Sequence, residues 1–315
     1  MFKHAASAAL FRRSRTPLGL ALAGALGAFA SLGLMGVAHA TEGGGSVYPV
    51  GAENFTCCAL PPPGVYGMVW GEHLSADNAR GNSGQVVTPA TFSVKANAVV
   101  PRVVWITDTQ VAGAALGFHA ILPLVNLDVK VAPGTAQSKT GIGDMTLGAV
   151  LGWHHSDRLH SVLALDVYAP TGSYDKTDVA NIGRNYWAIQ PVAGLSYINP
   201  TGFNADLKAM WTYNLKNHDT DYRSGQELIL DYALGWGLGN GLTLGVGGYA
   251  YQQITDDRQY GATVADNKGR AFAIGPSVRY DSGKGWFVNA KFQKDNAVRN
   301  RADTSIFWLK AVFPF

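Results

Sequence analysis

Apolar and polar residues alternate with a period of two through most of this chain, in segments separated by turn-forming residues. In 203–215, one face carries Phe203 and Leu207, whereas the other carries Asp206 and Lys208. Side chains of a β-strand point alternately to opposite faces, so a period of two predicts strands rather than helices. Charges on the second face exclude strands that are buried on both sides. We therefore predict an all-β chain.

The alternation predicts twelve strands, most of them 11–15 residues long. They cover 64–76, 91–106, 111–131, 141–154, 159–169, 186–198, 202–215, 226–238, 241–255, 268–280, 285–295 and 304–315. Strands of soluble proteins average about 5–6 residues, so these strands are long enough to cross a bilayer at a tilt. An even strand number places both ends of such a barrel on the periplasmic side.

The connectors between these strands are alternately short and long. The short ones include 107–110, and the long ones are 77–90, 132–140, 170–185, 216–225, 256–267 and 296–303. This order is typical of a transmembrane antiparallel β-barrel with short periplasmic turns and longer extracellular loops. A Greek-key sandwich would not sort its loops in this way. The predicted barrel spans 64–315.

In a membrane barrel, lipid covers the apolar faces and the charged faces line the interior. Aromatic residues near strand ends are predicted to form interfacial girdles. They are Tyr66, Trp70, Trp153, Trp187, Tyr197, Trp211, Trp236, Trp286 and Phe315. We expect Phe313 and Phe315 at the end of the last strand to act as the barrel-assembly signal, as terminal aromatics do in resembling barrels. The predicted membrane barrel has two expected partners: outer-membrane lipids and the barrel assembly machinery.

Residues 1–40 have the features of an export signal. A basic start is followed by an uncharged apolar stretch over 18–37 and by small residues at Ala38 and Ala40. A membrane-anchoring helix is the alternative, because the apolar stretch is long. Cleavage near Ala40 would leave 21 of the 25 Lys and Arg residues against 22 Asp and Glu residues, changing the net charge from +3 to −1. We expect the outer membrane of a Gram-negative bacterium, and no nucleic-acid partner.

Residues 41–63 do not alternate. They contain a glycine run, two adjacent cysteines and a triple proline, which cannot join the ladder inside a sheet. The segment is therefore either a disordered periplasmic leader or a plug that folds back into the lumen. Cys57 and Cys58 are the only cysteines of the chain, so a vicinal disulfide, an intermolecular bond or two free thiols remain in an oxidising compartment.

Twelve polar residues on the predicted inner faces are candidates for lining the lumen. They are Lys95, Asn97, Asp144, Asp166, Gln190, Asp206, Lys208, Glu227, Asp231, Arg279, Asn289 and Lys291. They either form a polar network that fills the barrel or line a permeation path. Their mixed signs argue against a strongly ion-selective pore. A narrow, gated passage for small solutes is the prediction, since twelve strands enclose a lumen of intermediate width.

No pattern in the sequence predicts a catalytic site, a metal site or a cofactor. Catalysis would need a nucleophile and a base within hydrogen-bond reach on neighbouring strands, and nothing in the sequence brings such a pair together. His154 and His155 point to opposite faces of a strand, so they cannot chelate one metal. The prediction is a protein that is not an enzyme.

Several short motifs, taken in their order along the chain, resemble a known family. They are Thr41–Gly45, Gly141–Asp144, Ala169–Tyr174, a loop with Asn217, Thr220, Tyr222, Ser224 and Gly225, and a loop with Gln252, Gln253, Asp256 and Asp257. The chain is similar, over nearly all of 41–315, to the bacterial family named for the meta pathway of phenol degradation. Members are regarded as outer-membrane barrels associated with aromatic catabolism.

The resemblance implies uptake of small hydrophobic compounds, aromatic or phenolic ones among them, and it assigns no catalytic role. The alternative function is a structural or ligand-binding surface barrel whose lumen is blocked and whose long loops bind a partner outside.

Overall fold

The computed structural model describes residues 41–315, so the predicted export signal over 1–40 lies outside the described residues. This part of the chain forms a 3₁₀ segment at Glu42–Gly44 and seventeen strands. The strands are β1 (Gly64–Arg80), β2 (Ser93–Val111), β3 (Ala114–Ile121), β4 (Leu124–Ala132), β5 (Thr135–Ile142), β6 (Met145–His154), β7 (Leu159–Ala169), β8 (Ala188–Tyr197), β9 (Phe203–Asn214), β10 (Tyr222–Arg223), β11 (Glu227–Gly237), β12 (Leu242–Gln253), β13 (Asp257–Gln259), β14 (Ala262–Val264), β15 (Arg270–Asp281), β16 (Phe287–Arg299) and β17 (Arg301–Pro314). Between residues 41 and 315, no helix has the length and apolar character needed to cross a membrane.

Twelve of the strands within 41–315 form a closed antiparallel barrel. Their order around the wall is β1, β2, β3, β6, β7, β8, β9, β11, β12, β15, β16 and β17. β1 pairs with both β2 and β17, which closes the sheet on itself. The predicted twelve-stranded antiparallel barrel is confirmed.

One hairpin, β4–β5, extends the wall beyond its neighbours. β2 is long enough to pair with β3 along its second half and with β4 along its first half. The chain between β3 and β4 contains Pro123, which has no N–H to donate to a ladder. The prediction of a long loop over 132–140 is wrong, because β5 occupies most of this range.

The two ends of the barrel differ in their connectors, and we call them the turn end and the loop end. Tight connections at the turn end include 198–202 and 238–241. The turn predicted at 107–110 is wrong: β2 continues, and the hairpin turns at Ala112 and Gly113, whose φ angles of 51° and 75° suit a tight hairpin turn.

Longer connections lie at the loop end. Within two of them, β10, β13 and β14 pair as a separate three-stranded sheet. The loop predicted over 296–303 is largely strand, since β16 and β17 run through it and turn at Asn300.

A band of exposed apolar side chains surrounds the outside of the barrel. Leu147, Leu163, Leu195, Leu207, Leu234, Leu244, Phe292 and Leu309 are each 44–52% exposed. A continuous apolar surface of this kind is unfavourable in water and favourable in lipid. Trp187, Trp211, Trp236 and Trp286 lie on the same outer surface.

The girdle prediction is wrong for Trp70, which is 5% exposed and lies inside the barrel. β1 is apolar on both faces, so its alternation does not reveal which face is the inner one. The pairing of β1 with β2 and β17 decides this, because the even-numbered residues of β1 then point inward with Ala98 and Trp308.

Candidate functional site

Residues 41–60, which we call the lumen segment, run through the barrel interior from the loop end to the turn end. At the loop end, the Glu42 carboxylate accepts a hydrogen bond of 2.5 Å from the Thr220 hydroxyl. At the turn end, the Cys57 N–H donates to the Asp206 carboxylate at 3.0 Å. The lumen segment thereby contacts the wall at both ends of the barrel.

Glu53, in the middle of the lumen segment, is surrounded by cations from the wall. Its carboxylate lies 2.7 Å from the Lys310 ammonium and 3.6 Å from the Lys208 ammonium. The Arg102 guanidinium is 3.8 Å away, and Lys291 donates to the Glu53 carbonyl oxygen at 2.6 Å. Burial acts to raise the pKa of Glu53, but the three cations together hold that pKa below its usual range. The charged carboxylate thereby joins the segment to β2, β9 and β17.

Wall side chains also satisfy the backbone of the lumen segment. Asp231 accepts hydrogen bonds from the N–H groups of Gly51 and Glu53 at 2.9 and 3.0 Å, and from the Tyr48 hydroxyl at 2.6 Å. Asn289 donates to the carbonyl oxygen of Phe55 at 2.9 Å. Buried backbone groups without a β-ladder need such partners. The polar inner face of β11 and β16 therefore serves to hold the segment.

The twelve residues predicted to line the lumen fall into three groups. Five bond to or pair with the lumen segment: Asp206, Lys208, Asp231, Asn289 and Lys291. Five others lie elsewhere on the inner face or at its rim: Asp144, Asp166, Gln190, Glu227 and Arg279.

Lys95 and Asn97 form the third group, and placing them in the lumen is wrong. Both are exposed on the outside, whereas Ala96 and Ala98 between and beside them line the interior. At this height of the barrel the polar face of β2 is the outer one. The sequence alternation identified the two faces but not their direction.

Cys57 and Cys58 form a vicinal disulfide in the structure. They pack with Val150 and Val162 of the wall, and the Cys58 N–H donates to the Ser196 hydroxyl at 3.0 Å. The disulfide therefore lies against the inner wall of the barrel. Its contacts fix the turn end of the lumen segment.

A cavity of about 570 Å³ lies beside the lumen segment towards the loop end. Charged residues, Arg102, Asp166 and Lys208 among them, line part of it. Inward-facing apolar residues of β1, β2, β3, β4 and β17 form much of the rest: Leu74, Val94, Ala96, Ala98, Val100, Ile121, Val125, Leu127, Val129, Val131 and Ile306. Binding sites for small molecules have volumes of about 300–1,000 Å³ and mostly apolar walls. The cavity therefore suits a small apolar molecule.

Around this cavity the barrel wall is polar outside and apolar inside, which is the opposite of the lipid-facing region. Asn126, Asp128 and Lys130 of β4 alternate with the cavity-lining Leu127 and Val129. A wall that is polar outside and apolar inside is stable in water only if its apolar inner face is shielded from bulk water. The β4–β5 hairpin thus carries the apolar cavity beyond the lipid-facing band.

The rim of the cavity is held by Asp144, between β5 and β6. Its carboxylate accepts hydrogen bonds from the N–H groups of Gly172 and Arg184 at 2.9 and 2.7 Å. Burial raises the pKa of Asp144, and these hydrogen bonds act in the opposite direction. This residue, predicted to line the lumen, positions the loop that borders the cavity.

Sequence reasoning missed the apolar part of the site. It assigned the inner face from polar residues, so Trp70, Glu72 and Trp308, which line the cavity, were not proposed. The available signal was that 94–100 and 124–131 are apolar on one face and polar on the other, while β1 is apolar on both. No sequence pattern identifies Glu53, because its role depends on contacts with three strands that are distant in sequence.

Comparison with known proteins gives the family. Residues 76–311 match the family model described as "Putative MetA-pathway of phenol degradation". The COG4313 outer membrane channel from Pseudomonas putida F1 has a TM-score of 0.73 at 19% identity, covering 82% of this chain and 98% of that one. No curated protein matches the chain.

Two further solved structures are less similar. The transport unit of the autotransporter AIDA-I from Escherichia coli has a TM-score of 0.48 at 10% identity, over 80% of this chain and 90% of that one. The CymD monoaromatic hydrocarbon channel has a TM-score of 0.43 at 9% identity, over 80% and 89%. The Pseudomonas structure supports the barrel fold, and the family model covers well over half of the chain. The protein therefore belongs to the family described as the putative MetA-pathway of phenol degradation.

Proposed function

We propose that this protein is an outer-membrane channel for the uptake of small hydrophobic compounds, aromatic and phenolic ones among them, in association with aromatic degradation. The observation that carries the proposal is the apolar cavity enclosed by a barrel whose outer surface suits lipid. An ion-conducting aqueous pore has no need of such a cavity, since hydrated ions gain nothing from an apolar wall. The family description and the similarity to the Pseudomonas outer membrane channel support it.

The proposal includes the route to the membrane. The export signal would be cleaved near Ala40, the assembly machinery would recognise Phe313 and Phe315, and outer-membrane lipid would cover the apolar band. The inner polar residues would serve to hold the lumen segment and to line a passage. Transport, and no chemical conversion of the solute, is the activity proposed.

Uptake tests the proposal directly. We would compare the entry of radiolabelled toluene at low concentration into cells that carry or lack the gene, and into liposomes with or without the purified protein. Faster entry in both systems is expected. Unchanged entry in both would show that transport is the wrong function.

A second function, a surface barrel with a blocked lumen, is favoured by one observation. The lumen segment is bonded to the wall at its start, middle and end. Deleting 46–60 keeps the residues around Ala40 and distinguishes the two functions. For a gated channel, the deletion increases solute entry above the wild-type rate; for a surface barrel, wild-type entry is absent and appears only after the deletion.

A further inference from the structure

One carboxylate of the cavity wall, that of Glu72, has apolar neighbours on its own strand and on both adjacent strands. Glu72 is partly buried on the inner face of β1, between Trp70 and Leu74, and all three residues line the cavity. Its neighbours across the sheet are Ala98 of β2 and Trp308 of β17. Within residues 41–315, no hydrogen bond or ion pair to the Glu72 carboxylate is found. A carboxylate without a partner in an apolar wall is unfavourable, so its presence needs an explanation.

Two hydrogen-bond donors beside Glu72 are also unused. The indole N–H groups of Trp70 and Trp308 are buried and have no hydrogen-bond partner within the described residues. Both rings line the same cavity, and Trp308 lies directly opposite Glu72 in the strand register. One acceptor and two unused donors therefore belong to adjacent residues of the cavity wall.

A hydroxyl group is the simplest group that matches this acceptor and these donors. It donates one hydrogen bond, which a carboxylate accepts strongly, and its oxygen accepts a bond from an indole N–H. A hydrocarbon would leave all three groups unpaired. Resting on the proposed function, we propose that Glu72 makes the cavity select apolar molecules that carry a hydroxyl, such as phenols, over hydrocarbons and ethers of the same size.

The cations beside Trp70 favour a ligand with a neutral hydrogen-bond donor over a ligand with a cationic donor. The Lys310 ammonium lies 5.0 Å and the Arg102 guanidinium 5.9 Å from the centroid of the Trp70 ring. Together with Lys208 they outnumber the Glu53 carboxylate that they surround, so the charges close to the Trp70 ring are mainly positive. An ammonium group entering to pair with Glu72 would be repelled by these cations, whereas a hydroxyl would not.

Two isomers separate hydrogen-bond donation from size. Para-ethylphenol and para-methylanisole have the same atoms, but only the phenol can donate a hydrogen bond. Their binding to the purified full-length barrel would be measured by equilibrium dialysis against protein-free micelles. We expect the phenol to bind about tenfold more tightly, which corresponds to one hydrogen bond to a charged acceptor.

Variants of the acceptor complete the test. In Glu72→Leu we expect the preference for the phenol to disappear while the anisole binds as well as before or better. Glu72→Gln, which keeps an acceptor and the same shape, should retain part of the preference even if the leucine variant assembles poorly. Asp77→Leu on the outer face of the same strand is the matched control and should leave both affinities unchanged.

The possible results are distinguishable. Equal wild-type affinities for the isomers, or an equal loss of both in Glu72→Leu, would overturn the selection by Glu72 and leave the channel function intact. Tighter binding of para-methylbenzylamine than of the phenol would overturn the choice of a neutral donor. No binding of any of the three, with no toluene entry, would remove the proposed function itself.

Discussion

One cluster of charged residues inside this barrel is arranged around a single acidic side chain. Glu53 pairs with Lys310, Lys208 and Arg102, which belong to three different strands. Removing one partner of such a buried group leaves a charge that nothing compensates, which is costly. We infer that the cluster holds the lumen segment more firmly than its apolar contacts alone would.

Acid should release the lumen segment through Glu53. The docked carboxyl has a lowered pKa, because the surrounding cations outweigh burial, and the released carboxyl returns to an ordinary value near 4.5. The contribution to docking is therefore complete well above 4.5 and is lost progressively as the pH falls below it towards the docked pKa. We expect the single-channel conductance of the wild type to rise over that range.

Glu53→Gln is the control for this pH dependence. The variant has no titrating group at this position, so its conductance should be higher at neutral pH and should change less on acidification. The same rise in both proteins would mean that another group controls docking.

Individual strands differ in which face is apolar, and the difference depends on height in the barrel. Leu207 of β9 is outward and 45% exposed within the apolar band. Asn97 of β2 is also outward, but it lies among polar neighbours and bonds to His73 at 2.8 Å. The outer surface therefore changes from lipid-facing to water-facing along the wall.

Arginine substitutions should map this boundary. Leu207→Arg is expected to lower the free energy of unfolding in lipid vesicles by about 2–4 kcal/mol, because the charge enters the bilayer interior. Asn97→Arg should have little effect, since its side chain remains in water. Urea titration in vesicles measures both, and equal penalties would contradict the proposed position of the membrane.

The β4–β5 hairpin should contribute to solute binding through its inner face alone. Val129 is 8% exposed and lines the cavity, whereas the neighbouring Lys130 points outward. Val129→Asp should reduce the affinity for toluene by about tenfold or more, because it places a charge in an apolar wall. Lys130→Asp should not, although it also introduces a carboxylate. Equilibrium dialysis of the two variants gives the comparison, and equal losses would argue against the cavity as the binding site.

At the scale of the whole molecule, the barrel closes between its first and last strands. β17 pairs with β1 along most of its length, and the Phe315 N–H donates to the Val65 carbonyl oxygen at 3.2 Å. Phe315 itself is 80% exposed, so it contributes little to packing. Its side chain is therefore available for recognition during assembly.

Deletion of Phe315 should lower the amount of assembled barrel more than its stability. Heat-modifiable electrophoretic mobility of outer-membrane fractions measures the assembled amount. Phe307→Ala is the matched control and should assemble normally. It removes another outward aromatic ring from β17, and the Phe307 side chain is 44% exposed. A normal level after deletion of Phe315 would exclude a role as assembly signal.

The class of fold, the number of barrel strands and much of the lipid-facing surface could be predicted from the sequence. A period of two is a local property of each strand, so Leu207 and Leu309 could be assigned to the outside without any knowledge of their neighbours. It could not give the direction of the faces in β1 and β2. Trp70 was wrongly placed outside, because both faces of β1 are apolar. Asn97 was wrongly placed inside, because the polar face of β2 is the outer one at that height.

The contents of the lumen could not be predicted from the sequence, because they depend on contacts between distant segments. Glu53, Lys310 and Arg102 lie far apart in sequence, and their meeting depends on barrel closure and on the path of the lumen segment. The same is true of Glu72 and Trp308, which become neighbours through the pairing of β1 with β17. Alternation sets the direction of each side chain within its strand, but strand order, register and the docked segment set which side chains face one another across the lumen.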